Sequence, residues 1–234
     1  MNISVIASSS RGNCYSVSDG TTTILIECGI SFARIQQALN FSLSGVSACL
    51  VSHEHQDHCK AIRDVMGAGV DCYASSGTLN ALGVADQHRA KIVREKMQFK
   101  IGTFFVVPFS TVHDAAEPLG FLVANGDHKL LFATDTACIN HRFKGITHLM
   151  IECNYQDEIM RDRLKSGCMS EAQKNRLLFS HLSLDTLVDF LGKNDTSKLE
   201  EIHLLHLSDG NANEAAIKRK IMGITGKPVY VAAA

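Results

Sequence analysis

The chain has little that would divide it, export it or anchor it. Only three of its 234 residues are proline, and no Pro/Ser/Gly-rich stretch separates one part from another. A single domain spanning residues 1–234 is therefore expected. The charges nearly cancel, 23 Lys and Arg against 24 Asp and Glu, so no overall basic field attracts nucleic acid, and any such surface must be a local patch. No apolar run approaches the roughly 18 to 20 residues that span a bilayer, which sets membrane proteins aside. The opening "MNISVIASSS" turns polar early and carries no Lys or Arg, unlike a secretory signal. Eight cysteines occur without paired spacing, and Cys28, Cys49 and Cys153 sit inside apolar runs. Free, mostly buried thiols and a reducing cytoplasm are the expectation. Also missing are a G-x-S-x-G elbow and a convincing Cys/His pair, so hydrolysis through a side-chain nucleophile is not indicated.

What is present is an ordinary globular composition, 45% hydrophobic and 20% charged, enough for a real core. Short strands are predicted at "NISVIA", "CYSVS", "TTTILIEC" and "VSACLVS", with "DG" as a hairpin turn between the second and third. A helix is predicted over "SFARIQQALN" with Ser31 as N-cap, and another starts at "HCKAIRDVMGAG". Further on, "VDCYAS", "FKIGTFFVVPFST", "LGFLVANGDHKLLFATDT", "HLMIECN", "EIHLLHLS" and "PVYVAA" supply strands, the third as a hairpin turning at "NGD". Helices are expected at "GTLNALG", "DEIMRDRLKSG", within "SEAQKNRLLFSHLSLDTLVDFLGKN" and over "NANEAAIKRKIMGITG". Meandering strands with helices between groups of them suggest an α/β (α+β) fold of two facing sheets with helices outside, not a simple βαβ repeat.

The most informative segment is "VSHEHQDHCKAI", which places His53, His55, Asp57 and His58 within six residues after a buried strand. Crowding such side chains is costly unless something offsets it, and a polar surface loop is the bland alternative. His53 and His55, two apart in an extended loop, project to one side and can share an ion. Asp57 and His58 open the next helix and can face a second ion. Imidazole with carboxylate suits Zn²⁺, and Mn²⁺ or iron where oxygen ligands contribute more. His113 ends the predicted strand "FFVVPFSTVH", Asp135 ends "KLLFATD" and His206 ends "EIHLLH". Each alone reads more readily as a capping or hydrogen-bonding residue, but together with the cluster they make seven potential ligands.

This pattern resembles the metallo-β-lactamase fold superfamily, four-layer αββα sandwiches with a one- or two-metal hydrolytic site at the sheet edge. "SSSRGNCYSV", "ILIECG", "ECNYQDEIMRDRL", "SHLS" and "LHLSDGNAN" are similar to its YycJ (WalJ)-like group, associated with exonuclease activity on DNA. The resemblance implies two divalent ions. His53, His55 and His113 would hold the first, Asp57, His58 and His206 the second, and Asp135 would be shared. Glu27 stands where the superfamily usually has Asp and would orient a ligand or its loop. "SDGNAN" departs from the group's more Asn-rich ending. His181, in "FSHLS", would contact a phosphate or protonate a leaving group, or else merely cap a helix. His203 should face away from His206, while His88, His128, His141 and His148 fit no motif and read as surface or turn residues. Paired ions lower the pKa of bound water from about 16 to about 7, which explains why such a cluster needs no side-chain nucleophile.

Similar centres cleave phosphodiesters, thioesters, lactones and β-lactams, so the fold does not choose the substrate. Arg89, Lys91, Arg94, Lys96 and Lys100 form one basic group, Arg161, Arg163 and Lys165 a second, and Lys218, Arg219 and Lys220 a third. They would suit a phosphate backbone, or be solvated helix faces. With the resemblance, the expectation is a cytoplasmic DNA exonuclease or phosphodiesterase. A small-molecule hydrolase of the same fold, and a non-catalytic metal-binding protein, are the alternatives.

Overall fold

A computed structural model describes residues 1–232. The chain forms two compact units, the first of residues 1–110 and 115–127, the second of residues 111–114 and 128–232. The mixed α/β fold with two sheets is the one expected.

In the first unit six strands form one sheet in chain order: β1 (Asn2–Ala7), β2 (Cys14–Ser18), β3 (Thr23–Ile26), β4 (Val46–Leu50), β5 (Cys72–Ala74) and β6 (Ala90–Ile92). The first three run antiparallel and the last four parallel. Four helices occupy the connections: α1 (Phe32–Ala38), α2 (Gln56–Cys59), α3 (Ile62–Gly67) and α4 (Ser76–Ala81). Ser31 takes the N-cap position of α1 without a side-chain cap bond, whereas Ser75 accepts from Thr78 N and caps α4. The continuous helix expected after His58 is broken at Lys60–Ala61 into α2 and α3. Leu25, Ile35, Cys49, Val51, Val65 and Leu79 pack the core under this sheet. An antiparallel ribbon of β7 (Phe99–Ile101), β8 (Phe104–Ser110) and β9 (Leu119–Asn125) completes the unit.

Asp19 ties that ribbon to the β2–β3 turn. Its Oδ1 accepts from Thr21 N and Thr22 N at 2.8 and 2.7 Å, forming the turn, and its other oxygen accepts from Thr103 and Asn125. The Thr103 bond, foremost among these, holds the carboxyl down at about 2.

The second unit is a parallel run of β10 (His128–Ala133), β11 (His148–Glu152), β12 (Glu201–Leu205) and β13 (Val229–Val231). Its central strand β11 is buried along its whole length, as a strand covered on both faces must be. The connections hold α5 (Asp157–Lys165), α6 (Glu171–Ser180), α7 (Leu184–Lys193) and α8 (Glu214–Thr225). Side chains cap the last three: a Ser170/Gln173 box on α6, Ser183 on α7 and Asn213 on α8. All eight cysteines are free thiols, six of them buried. Among the described residues, no helix is long and apolar enough to cross a membrane.

Candidate metal centre

In the first unit the H-x-H-x-D-H segment leaves β4 and enters α2. His53 and His58 are fully buried, and the His53 ring lies 4.1 Å from that of His58 and 4.7 Å from that of His55, centroid to centroid. His55 is the N-cap residue of α2, which leaves Asp57 in the first turn, where a carboxylate is favoured. The Asp57 carboxylate stands 3.5 Å from His58 Nε2.

The loop is held from behind. Gly29 passes so close that a Cβ there would lie 1.7 Å from the Asp57 carbonyl oxygen. That oxygen accepts from Asn13 N at 2.8 Å and Asn13 Nδ2 at 3.2 Å, and Cys28 N donates to the His58 carbonyl. Glu27, fully buried, accepts from Ser52 N at 3.2 Å and lies 3.7 Å from His58 Nδ1. It thus lies beside the buried His58 and the start of the loop that carries the histidines. Burial pushes its carboxyl up, against bonds from His58 and Ser52 that favour the charge.

In the second unit three adjacent parallel strands deliver side chains at their carboxyl ends, where open α/β sheets place their ligands. Asp135 follows β10, Glu152 closes β11, and His206 follows β12. With His181, the C-cap residue of α6, these four offer ligand atoms that all lie within 4.8 Å of one another. His113 joins them, its Nε2 3.8 Å from Asp135 Oδ2. It lies beyond the end of β8, which stops at Ser110, so the strand does not run on to His113 as expected. The Thr111–His113 stretch instead takes other partners: Val112 N donates to Thr136 Oγ1.

Hydrogen bonds fix which nitrogens are basic. His113 Nδ1 lies 2.8 Å from the Ser180 carbonyl, which can only accept, so Nε2 carries the lone pair a metal requires. His206 Nδ1 faces Glu152 Oε1 at 3.1 Å and Asp135 Oδ1 at 3.3 Å, which sets the same tautomer. Glu152 accepts from four groups: Thr136 N and Leu182 N at 3.0 Å each, His206 Nδ1, and His181 Nδ1 at 2.6 Å. Burial opposes charge on His181, but Glu152 and then Asp135 outweigh it and push the imidazole up to about 9. His181 is therefore both a helix cap, the bland possibility, and part of the cluster. The Asp135 carboxylate with the Nε2 lone pairs of His113 and His206 makes a donor set that suits a divalent cation, whose charge would offset the repulsion between Asp135 and buried Glu152.

Three of these residues are bent into the left-handed region: Glu27 at φ 63°, Asp135 at 42° and His206 at 52°. Among the described residues only three other non-glycine residues, Asn40, Phe41 and Lys96, have positive φ. Such strain persists only where the surroundings over-determine it, and it gathers at functional sites.

Glu152 is the residue that sequence reasoning missed. Its signal was a lone carboxylate closing the buried strand "HLMIE". His148 also needs correction: it is not a surface or turn residue but the buried first residue of β11. His203 stacks on Tyr230 at 5.2 Å and bonds Glu201. In the first basic group, Arg89 pairs with Asp71 at 2.9 Å, and Lys91 lies 3.9 Å from the same carboxylate. Lys96 pairs with Glu95, and Lys100 lies over the Phe105 ring.

The fold is shared with known structures. The metallo-beta-lactamase fold protein YhfI from Bacillus subtilis superposes with a TM-score of 0.73 at 14% identity, over 99% of this chain and 96% of that one. That defines the class as the metallo-β-lactamase fold. A family model described as a beta-lactamase superfamily domain matches residues 22–214, and the chain belongs to that superfamily. Within it, exodeoxyribonuclease YycJ of Bacillus anthracis is 30% identical over 235 residues, 92% of this chain and 86% of the relative. Exodeoxyribonuclease WalJ of Streptococcus pneumoniae (serotype 2, strain D39) is 28% identical over 224 residues, 89% and 82% of the two chains.

Proposed function

We propose that the protein is a metal-dependent DNA exonuclease that hydrolyses phosphodiester bonds. His53, His55 and His113 would hold one divalent ion, Asp57, His58 and His206 a second, and Asp135 would be shared, as the resemblance implies. The observation that carries hydrolysis is the gathering of buried Asp135, Glu152 and His206 at the carboxyl ends of neighbouring strands, with His181 brought to them from the end of α6. The activity named for the YycJ and WalJ relatives supports DNA as the substrate. Zn²⁺ and Mn²⁺ match imidazole and carboxylate donors, with iron a further candidate.

When bound, the ions supply water activated as a nucleophile near neutral pH and positive charge for the phosphate oxygens. The chain's own residues do the rest. Glu27 keeps its carboxylate beside His58 and fixes the Ser52 amide, which sets the loop that carries the histidines. Glu152 accepts the Nδ1 proton of His181 and so directs the opposite ring nitrogen outward as a donor. From there His181 gives a proton to the departing sugar oxygen, or hydrogen-bonds a phosphate oxygen. Arg89, Lys91, Arg94, Lys96 and Lys100 contribute contacts to the nucleic-acid backbone. The buried free thiols support a cytoplasmic site of action.

The test combines metal analysis of protein purified without chelator with digestion of end-labelled single- and double-stranded DNA and RNA, Zn²⁺ or Mn²⁺ being supplied. Close to two ions per chain and DNA shortened progressively from an end are expected. Turnover of a small phosphodiester or ester with no attack on any nucleic acid would replace this reading with that of a small-molecule hydrolase.

A further inference from the structure

The same three parallel strands carry a second group of ligand-type side chains at their opposite ends. His128 is the first residue of β10, His148 the first of β11, and Glu200 immediately precedes β12. Parallel register sets His148 beside Leu130 on one side and Glu201 on the other. One ligand atom from each of His128, His148 and Glu200 lies within 4.8 Å of the others. Across the five residues of β11, His148 and Glu152 are about 13 Å apart at roughly 3.3 Å per residue, so this group stands well away from the candidate catalytic cluster.

The central imidazole is buried and aimed at carboxylates. The His148 side chain is only 4% exposed, and its Nε2 lies 3.8 Å from Glu200 Oε2 and 3.9 Å from Glu201 Oε1. Its tautomer follows from its neighbour. Thr147 Oγ1 lies 3.2 Å from the Lys129 carbonyl and 2.8 Å from His148 Nδ1, and with its single hydrogen on the carbonyl it accepts from Nδ1. In that tautomer Nδ1 bears the hydrogen, and Nε2 turns a lone pair towards the two carboxylates. Lone pair against carboxylate is repulsive unless a cation lies between. The distances are too long for a hydrogen bond but close to the roughly 3.4 Å that separates two ligands of a tetrahedral ion with bonds of about 2.0–2.1 Å. His128 completes the set: its ring centroid is 5.5 Å from that of His148, and its Nδ1 is 4.0 Å from Glu200 Oε1. Both His128 and Glu200 have half-exposed side chains, 47% and 54%, that can swing the remaining distance. Glu201 is engaged with His203 at 3.1 Å and backs the site.

We propose that His128, His148 and Glu200 bind a zinc ion that fastens the starts of β10, β11 and β12 together. Two imidazoles and one carboxylate, with a position left for water, are a zinc donor set. Such an ion would tie the strand starts together, and is independent of how many ions the other end of the strands holds.

The test counts ions. Chelator-stripped full-length protein is titrated with Zn²⁺ against a chromogenic competitor, alongside His128→Ala and Glu200→Gln. Both substitutions fall on half-exposed side chains, so folding is retained, and circular dichroism checks this. Each variant is expected to bind one equivalent fewer than the wild type, whatever the total. In protein with ¹⁵N-labelled histidine, the His148 Nε2 resonance should move on zinc addition in the wild type and not in His128→Ala. Equal stoichiometry in all three proteins, or a difference seen only at zinc far in excess of protein, would overturn the proposal. The comparison reads the same way even if the chain proves not to be a nuclease.

Discussion

Main chain and side chain of Asp57 serve different ends. Its carbonyl oxygen anchors Asn13 and abuts Gly29, while its partly exposed carboxylate reaches towards His58 Nε2. Asp57→Ala keeps the first set of contacts and removes only the second. Hydrolysis should fall by orders of magnitude while circular dichroism stays near that of the wild type, and turnover close to normal would show that this ligand is idle. Glu152→Gln makes a comparable distinction. The amide oxygen can still accept from Thr136 N or Leu182 N, but a neutral group no longer draws positive charge onto His181. Metal affinity or activity should drop about 10- to 100-fold, as for other residues that orient a ligand. The His181 pKa, followed by NMR in metal-free protein, should fall from about 9 towards the ordinary imidazole range. Why one of these residues was legible and the other not is a matter of spacing. Asp57 belongs to four ligand types packed into one loop, whereas Glu152 acquires its partners from α6, β12 and the segment after β10, which no local pattern reveals.

At the scale of elements, α2 shows how tightly a short helix can be placed. Four residues cannot hold a helix on their own energy, so its position comes from Asn13, Cys28 and Gly29 pressing against its backbone. Gly29→Ala would drive a methyl into the Asp57 carbonyl. Chemical denaturation should show a loss of at least the roughly 1–3 kcal/mol typical of overpacking, accompanied by loss of metal. An unchanged midpoint would mean that the loop yields freely. This close approach also marks the limit of sequence reading. Hydrophobic periodicity located β4 and the helical character of "HCKAIRDVMGAG", but the break at Lys60–Ala61 depends on Ala61 N bonding the distant Cys28 carbonyl. Strand β6 was missed because "AKI" lies in a basic stretch with little apolar alternation. It is an edge strand, where lysine discourages further pairing.

For the molecule as a whole, a net charge of −1 leaves DNA attraction to local groups. Arg89 and Lys91 share Asp71, so their charge is partly spoken for, while Arg94 and Lys100 are exposed. Reversing Arg94 and Lys100 to Glu should weaken duplex binding and reduce the slope of log K against log salt by roughly 1.8 if both touch phosphates. Hydrolysis of bis-p-nitrophenyl phosphate by that variant should stay near the wild-type rate, and an unchanged slope would make the patch a solvated face. The left-handed backbone at Glu27, Asp135 and His206 has a different consequence, for laboratory evolution. Glycine relaxes such a conformation, so each position is a place where the chain can gain heat resistance by giving up a side chain. A library selected for survival at high temperature should enrich glycine there, and one selected for turnover should purge it. Sequencing the two pools would then return opposite answers at the same three codons.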